Sequence, residues 1–353
     1  MLTHGNSTRA GNRLAADLDG VLAHAWVPWD ALRGAQVFLT GASGFVGCWL
    51  LETLLWASDR LDLGVSIVAL TRDRRGFAAR VPHLAGHGAV TLHEGDIRTF
   101  DAPAGRFTHV VHAAVDATPP VTADDRLRVF DVIVEGTRRA LECARASGAR
   151  RFLFASSGAV YGTQPSGVAH LVEDCAGGPD PASRETAGAE AKRAAETLCA
   201  VYASDTFEPV IARLFTFVGP YLPLDGKFAA GNFIRDALHG GPIVVAGDGT
   251  ACRSYLYASD LAAWLWAILL RGEAARPYNV GSEVVVTIGD LARTVASQFT
   301  PPLDVRIEGA RTRGVAGHRY VPGTARAREE LGVEMTVGLE DAIARTVEWH
   351  AAG

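Results

Sequence analysis

A short apolar run at residues 37–40 leads straight into Gly41-Ala42-Ser43-Gly44-Phe45-Val46-Gly47, and a helical period opens immediately behind it. Nothing else in the chain restricts its fold as tightly. Glycines at 41, 44 and 47 permit a tight turn, a close backbone approach to a ligand and close packing of helix on strand. The new helix N-terminus also offers unpaired N–H donors to an anion. The stretch holding Gly41, Ser43, Gly44, Phe45, Val46 and Gly47 is therefore expected to cradle a dinucleotide pyrophosphate. Downstream the rhythm repeats. Apolar, β-rich runs at 65–70, 90–92, 109–112, 152–155 and 210–214 alternate with helical periods such as 45–57, 127–146 and 189–203. Continuously apolar strands separated by helices imply a parallel sheet covered on both faces. The expected class is α/β, a doubly wound Rossmann domain with a smaller C-terminal substrate-binding lobe.

The expected boundaries follow from where this rhythm starts and loosens. Residues 1–34 read as an N-terminal extension with a weak helix at 14–25. Trp26, Pro28 and Trp29 behind it would cover a core edge or a subunit contact. Residues 35–218 read as the dinucleotide-binding domain. Residues 219–353, with thicker Gly/Pro punctuation, read as mainly a substrate-binding lobe with some segments returning to the first domain, set over the sheet edge where such sheets bind ligands.

Composition removes several other classes. Hydrophobic residues make up 48% of 353, enough for a large core rather than a disordered chain. Basic and acidic residues number 34 and 39, a net charge of −5, so no nucleic-acid partner is expected. No apolar run approaches a bilayer span, and Asp17, Asp19 and Asp30 interrupt the N-terminal apolar stretches, so neither a membrane partner nor a signal peptide is expected. Five scattered cysteines without a C-x-x-C pair read as reduced thiols in a cytoplasmic protein with no metal site.

The second strand ends in Arg72 and Asp73. An acidic side chain there would hold the ribose hydroxyls of NAD, whereas an arginine would meet the 2′-phosphate of NADP. Both cofactors stay open at this stage.

From Gln36 onward the chain resembles the extended short-chain dehydrogenase/reductase family, the nucleotide-sugar epimerases and dehydratases. The matching pieces are the Thr40–Gly47 loop, Gly95-Asp96-Ile97, Val111-His112-Ala113-Ala114 and Ser156-Ser157-Gly158-Ala159-Val160-Tyr161-Gly162. Further along come Lys192-Arg193-Ala194-Ala195-Glu196, Gly231-Asn232-Phe233-Ile234, Gly247-Asp248-Gly249 with Arg253, and Tyr278-Asn279-Val280-Gly281. The resemblance implies a tightly held, recycled NAD or NADP, a nucleotide-sugar substrate and a homodimer built on helices 127–146 and 189–203. It implies that Asp96 and Ile97 hold the adenine, and that Ala113 and Ala114 line the nicotinamide side. Ser157 would hydrogen-bond the reacting sugar oxygen. Lys192 would bind the nicotinamide ribose, and Asn232 and Arg253 the substrate diphosphate and nucleoside.

One position departs. The family carries a catalytic tyrosine one helical turn before its lysine, and here that residue is Gly188. Glycine at 188 leaves a gap beside Lys192 on one helix face. Gly158 and Ala159 likewise stand where the 4,6-dehydratases have an acidic pair, which disfavours ordinary dehydration. Tyr161, the flanking Glu185 and Glu190, His112 and a desolvated Lys192 are the groups weighed as a replacement base. The simpler reading of Tyr161 and His112 is packing. Asp131, where the family has asparagine, is expected to make a helix-start or sheet-edge hydrogen bond. Epimerisation through transient oxidation is the expected activity. The alternatives are a dehydratase or reductase of the same family, or an inactive cofactor-binding scaffold.

Overall fold

The computed structural model describes residues 12–115, 122–226, 228–310 and 317–352. Its longer strands are β1 (Gln36–Thr40), β2 (Ser66–Thr71), β3 (Val90–Glu94), β4 (His109–His112), β5 (Arg151–Ser157) and β6 (Glu208–Leu214). Short strands follow: β7 (Phe217–Val218), β8 (Ile243–Val245), β9 (Cys252–Arg253), β10 (Leu256–Tyr257), β11 (Pro277–Val280), β12 (Val286–Thr287) and β13 (Val305–Ile307). The helices are α1 (Ala15–Ala23), α2 (Phe45–Leu61), α3 (Arg74–Arg80), α4 (Pro82–Ala85), α5 (Ala123–Ser147) and α6 (Ala187–Tyr202). They continue as α7 (Ala229–Leu238), α8 (Ala258–Arg271), α9 (Ile288–Ala296), α10 (Ala325–Leu331) and α11 (Leu339–Ala351).

Seven strands form one sheet in the order β11-β6-β5-β4-β1-β2-β3, and every neighbouring pair runs parallel. Strand order reverses between β1 and β4, so a crevice opens beyond their carboxyl ends, where open α/β sheets bind ligands. The apolar strand residues need cover on both faces, and they have it. Helices α2 and α8 bury Trp49, Trp264 and Trp266 with one face, while α5 and α6 bury Val132, Ala140, Ala191 and Ala195 with the other. A separate core, including Phe233, Ile243, Leu291 and Ile343, holds α7, β8, α9 and α11 together. Because β11 comes from this later part of the chain yet joins the central sheet, the two regions share a hydrogen-bonded edge.

The helix α1 lays Leu14 and Leu18 against Trp49 and Ala262, and Tyr257 donates its hydroxyl hydrogen to Asp17 at 2.6 Å. Trp29 is buried against Trp266, as expected of a core-edge cover. One expectation fails. Asp131 is neither at a helix start nor at a sheet edge: it lies exposed inside α5, whose true start is capped by Thr122 and Asp125 in a reciprocal box. The first turn, Asp124-Asp125-Arg126, is too polar to show in an apolar period, and this hides the real boundary.

Candidate functional site

The turn after β1 fits the pyrophosphate of a dinucleotide. Gly41 takes φ +74°, and a Cβ there would lie 2.5 Å from the Ala113 carbonyl carbon beyond β4. A Cβ at Gly47 would lie 2.2 Å from the Gly41 oxygen, so only glycine lets α2 sit this close to its strand. Gly44 caps α2 without a side-chain acceptor, leaving the first N–H groups of a 17-residue helix to an anion. The guanidinium of Arg80 donates to the Ser43 carbonyl and steadies the turn from outside. Gly47→Ala must displace backbone and is expected to weaken dinucleotide affinity about a hundredfold, roughly 3 kcal/mol, in a calorimetric titration.

At the end of β2, where the adenosine is expected, Asp73 caps α3 by accepting from the Gly76 N–H at 2.8 Å, which commits one of its carboxylate oxygens. Asp96 accepts three hydrogen bonds from Arg98, two from the guanidinium and one from the backbone N–H, each 2.9 Å, and the side-chain contact first of all lowers its pKa to about 2. Arg72 adds a weaker attraction on Asp96 from the end of β2. Ile97 is buried against Gly136 of α5. Ala113 and Ala114 follow β4 directly, on the wall facing the Gly41 turn.

The chemistry expected of β5 and α6 meets next to this crevice. Lys192 is buried, and its ammonium donates to the Ala155 carbonyl at 2.6 Å, 4.6 Å from the Phe154 ring centroid. Burial disfavours the charged form and brings its pKa down to about 8. Ser157 ends β5 and accepts from the Ala159 N–H at 3.1 Å. At Gly188 a Cβ would meet only Val129, at 3.6 Å, so the space beside Lys192 is open.

The groups weighed as replacements go elsewhere. Glu185 is exposed and paired with Arg126 at 2.8 Å, and Glu190 has Arg193 at 3.7 Å. His112 is wedged between Thr40 (2.7 Å) and Thr137 (3.1 Å); burial, then the Lys192 charge, lowers its pKa to about 3. It is a neutral packing histidine. Tyr161 donates to Asn279 at 2.7 Å and accepts from Arg213 at 2.9 Å, while burial raises its pKa to about 12. Arg213 in turn grips Glu196 at 2.7 Å, and Glu196 accepts from Ser156 at 2.5 Å. This buried network ties β5, β6, β11 and α6 together and occupies the Tyr161 hydroxyl.

Of the two residues expected to meet substrate, Asn232 of α7 donates to the Gly226 carbonyl at 2.9 Å. Arg253 of β9 donates to the Cys252 and His318 carbonyls at 2.8 and 3.1 Å, with its guanidinium carbon 6.0 Å from the Tyr320 ring centroid. The sequence reading missed Tyr320. Its ring lies 4.7 Å from that of Phe215, and its hydroxyl lies against Gly158, close enough to Ser157 for that side chain to offset part of the rise in pKa that burial causes. No motif or spacing announces it, because the contact joins distant parts of the chain. Among the described residues no helix is long and apolar enough to cross a membrane.

Over residues 37–281 the sequence matches the NAD dependent epimerase/dehydratase family. UDP-glucuronic acid decarboxylase 2 of Arabidopsis thaliana is 29% identical over 313 residues, covering 88% of this chain and 67% of that protein. The UDP-glucose 4-epimerase of Thermus thermophilus, solved in complex with NAD, is 26% identical with a TM-score of 0.71, covering 89% of this chain and 98% of that one. The UDP-N-acetylglucosamine 4-epimerase of Methanobrevibacter ruminantium shares the fold at a TM-score of 0.76 and 20% identity, covering 91% of this chain and 99% of that one. With a match across most of its length and a glycine turn shaped for a dinucleotide, the chain belongs to the NAD dependent epimerase/dehydratase family.

Proposed function

We propose that the protein epimerises a nucleotide-activated sugar by transient oxidation, with a bound nicotinamide dinucleotide recycled in each turnover. One observation carries the choice. Ser157 and the buried Lys192 stand at the carboxyl edge of β5 beside the dinucleotide crevice, while Gly158 and Ala159 supply no acid for eliminating water.

The Gly41–Gly47 backbone would hold the pyrophosphate, Asp96 and Ile97 the adenine, and Ala113, Ala114 and Lys192 the nicotinamide end. When bound, the cofactor supplies a hydride acceptor and donor. The chain supplies the rest. Ser157 donates to the sugar oxygen as it becomes a carbonyl, and the Lys192 ammonium stabilises negative charge developing there. Asn232 and Arg253 anchor the diphosphate and nucleoside; a guanidinium suits such oxygens because it binds them through paired hydrogen bonds. The protein acts in the cytoplasm.

Decarboxylation is the second reading, favoured by the similarity to plant UDP-glucuronic acid decarboxylases. The test is to denature the purified protein, identify the released dinucleotide by mass spectrometry, and supply nucleotide sugars while following reduced-nicotinamide absorbance. An epimer formed without carbon dioxide supports the first reading, and carbon dioxide release selects the second. A protein that binds no dinucleotide overturns both readings.

The working unit is a homodimer built on α5 and α6, which carry the exposed apolar side chains Leu127 and Val201 at 63% and 73% exposure. Leu127→Asp with Val201→Asp is expected to halve the mass seen by light scattering and to leave the circular dichroism spectrum unchanged. A wild type that is already monomeric would overturn this assembly.

A further inference from the structure

The phenol missing at Gly188 has a counterpart beside Gly158. A Cβ built at Gly158 would lie 2.6 Å from the Tyr320 hydroxyl oxygen and 2.7 Å from the Phe215 ring. Any side chain at 158 would therefore expel Tyr320, so glycine here makes room for a phenol arriving from the C-terminal part of the chain. That phenol is half-buried, rests on Phe215 and lies next to Ser157, the residue that would face the reacting sugar oxygen. The two departures from the family pattern become one exchange. The tyrosine lost from α6 leaves a gap at 188, and the side chain lost at 158 admits another tyrosine.

Resting on the epimerase reading above, we propose that the Tyr320 hydroxyl, paired with Ser157, carries the proton to and from the sugar oxygen. In the outward half-reaction the carbinol C–H electron pair leaves as hydride for the nicotinamide, which is reduced. The sugar O–H bond breaks, its proton forms the Tyr320 O–H bond, and the carbinol becomes a ketone. In the return half the hydride goes back to the other face of the ketone, the Tyr320 O–H bond breaks, and its proton completes the new carbinol. Nothing is consumed overall. The Arg253 guanidinium, 6.0 Å from the Tyr320 ring, supports the phenolate. Burial and the neighbouring Tyr161 oppose it and raise the pKa of Tyr320, so turnover should climb with pH until Lys192 loses its charge near pH 8.

Tyr320→Phe keeps the ring on Phe215 and removes only the hydroxyl. With full-length, cofactor-loaded enzyme it is expected to lower kcat about a hundredfold and to abolish the rise of kcat with pH. Calorimetric affinity for the nucleotide sugar should stay within about threefold, because the hydroxyl acts on the reacting atom and not on the anchor. Adding Gly188→Tyr to Tyr320→Phe, where the new Cβ has space, should recover about tenfold of the lost rate. Tyr202→Phe, at the C-terminal end of α6 where the hydroxyl only reaches Glu142 of α5, is the control and should leave kcat and its pH dependence unchanged. Tyr320→Phe with kcat within threefold of wild type, or with its pH dependence intact, overturns the proposal. A wild type that turns over no nucleotide sugar overturns the epimerase reading and this proposal together, whereas loss of rate against an active wild type speaks to Tyr320 alone.

Discussion

Lys192→Met is expected to reduce turnover by about a thousandfold while leaving the folded protein as stable as before, or more so. The two halves of this expectation have one cause. The ammonium is buried, and its hydrogen bond to the Ala155 carbonyl returns only part of the solvation it has lost. Its folded pKa of about 8 against an ordinary 10.5 corresponds to a cost of about 3 kcal/mol for keeping the charge at neutral pH. Since the folded value lies below the unfolded one, the unfolded chain holds the additional proton between pH 8 and 10.5. Wild-type stability should therefore rise with pH through that window and carry the full cost below it. Methionine removes the charge, the cost and the slope. Urea unfolding at pH 7 and again near pH 9.5, beside turnover and dinucleotide titration, separates the possibilities. A variant that is inactive, stable and weak for dinucleotide confirms that the protein carries this charge for its chemistry. A variant that is inactive because it unfolds would make Lys192 a structural residue.

The parts of the molecule legible in sequence are those whose causes are local. The Gly41–Gly47 turn is readable because steric demands at 41 and 47 admit no other residue, and the central strands because both their faces are apolar. The start of α5 is not readable from periodicity, since its first turn is charged and is held by the Thr122–Asp125 cap. Asp131 is misplaced for the same reason: with the helix start set too late, a position inside the helix looks like its edge. The site residues divide along a similar line. Lys192 and Ser157 sit at motif positions, and the structure brings both to the edge of β5. Tyr161 also sits at a motif position, yet its hydroxyl is taken by Arg213 and Asn279, partners on β6 and β11 that no spacing rule connects to it. Gly158 carries the most instructive signal. In sequence it is only the absence of an acid, whereas in the structure it is the space that Tyr320 and Phe215 fill.

Arg213→Met should cost about 3–5 kcal/mol of unfolding free energy, the largest stability loss expected of a single substitution near the site. The guanidinium and the Glu196 carboxylate have side-chain exposures of only 14% and 11%, and they meet through hydrogen bonds of 2.7 and 3.0 Å. Removing the cation leaves a carboxylate with the Ser156 hydroxyl as its remaining side-chain partner, and strips the Tyr161 oxygen of a donor. Most of that loss is the cost of stranding a charge, not the net worth of the pair. The double variant Arg213→Met with Glu196→Met should accordingly recover to within about 1 kcal/mol of wild type. A double-mutant cycle in guanidinium unfolding decides the point, and additive losses would show that the two side chains do not act as a pair. The activity of the double variant then separates stability from positioning. Ser156 loses its anchor on α6, and Ser157, the next residue along β5, must hold its hydroxyl next to Tyr320. If the network positions that pair, the double variant will fold nearly as well as wild type and turn over about tenfold more slowly, because small displacements of a catalytic group are expensive in rate.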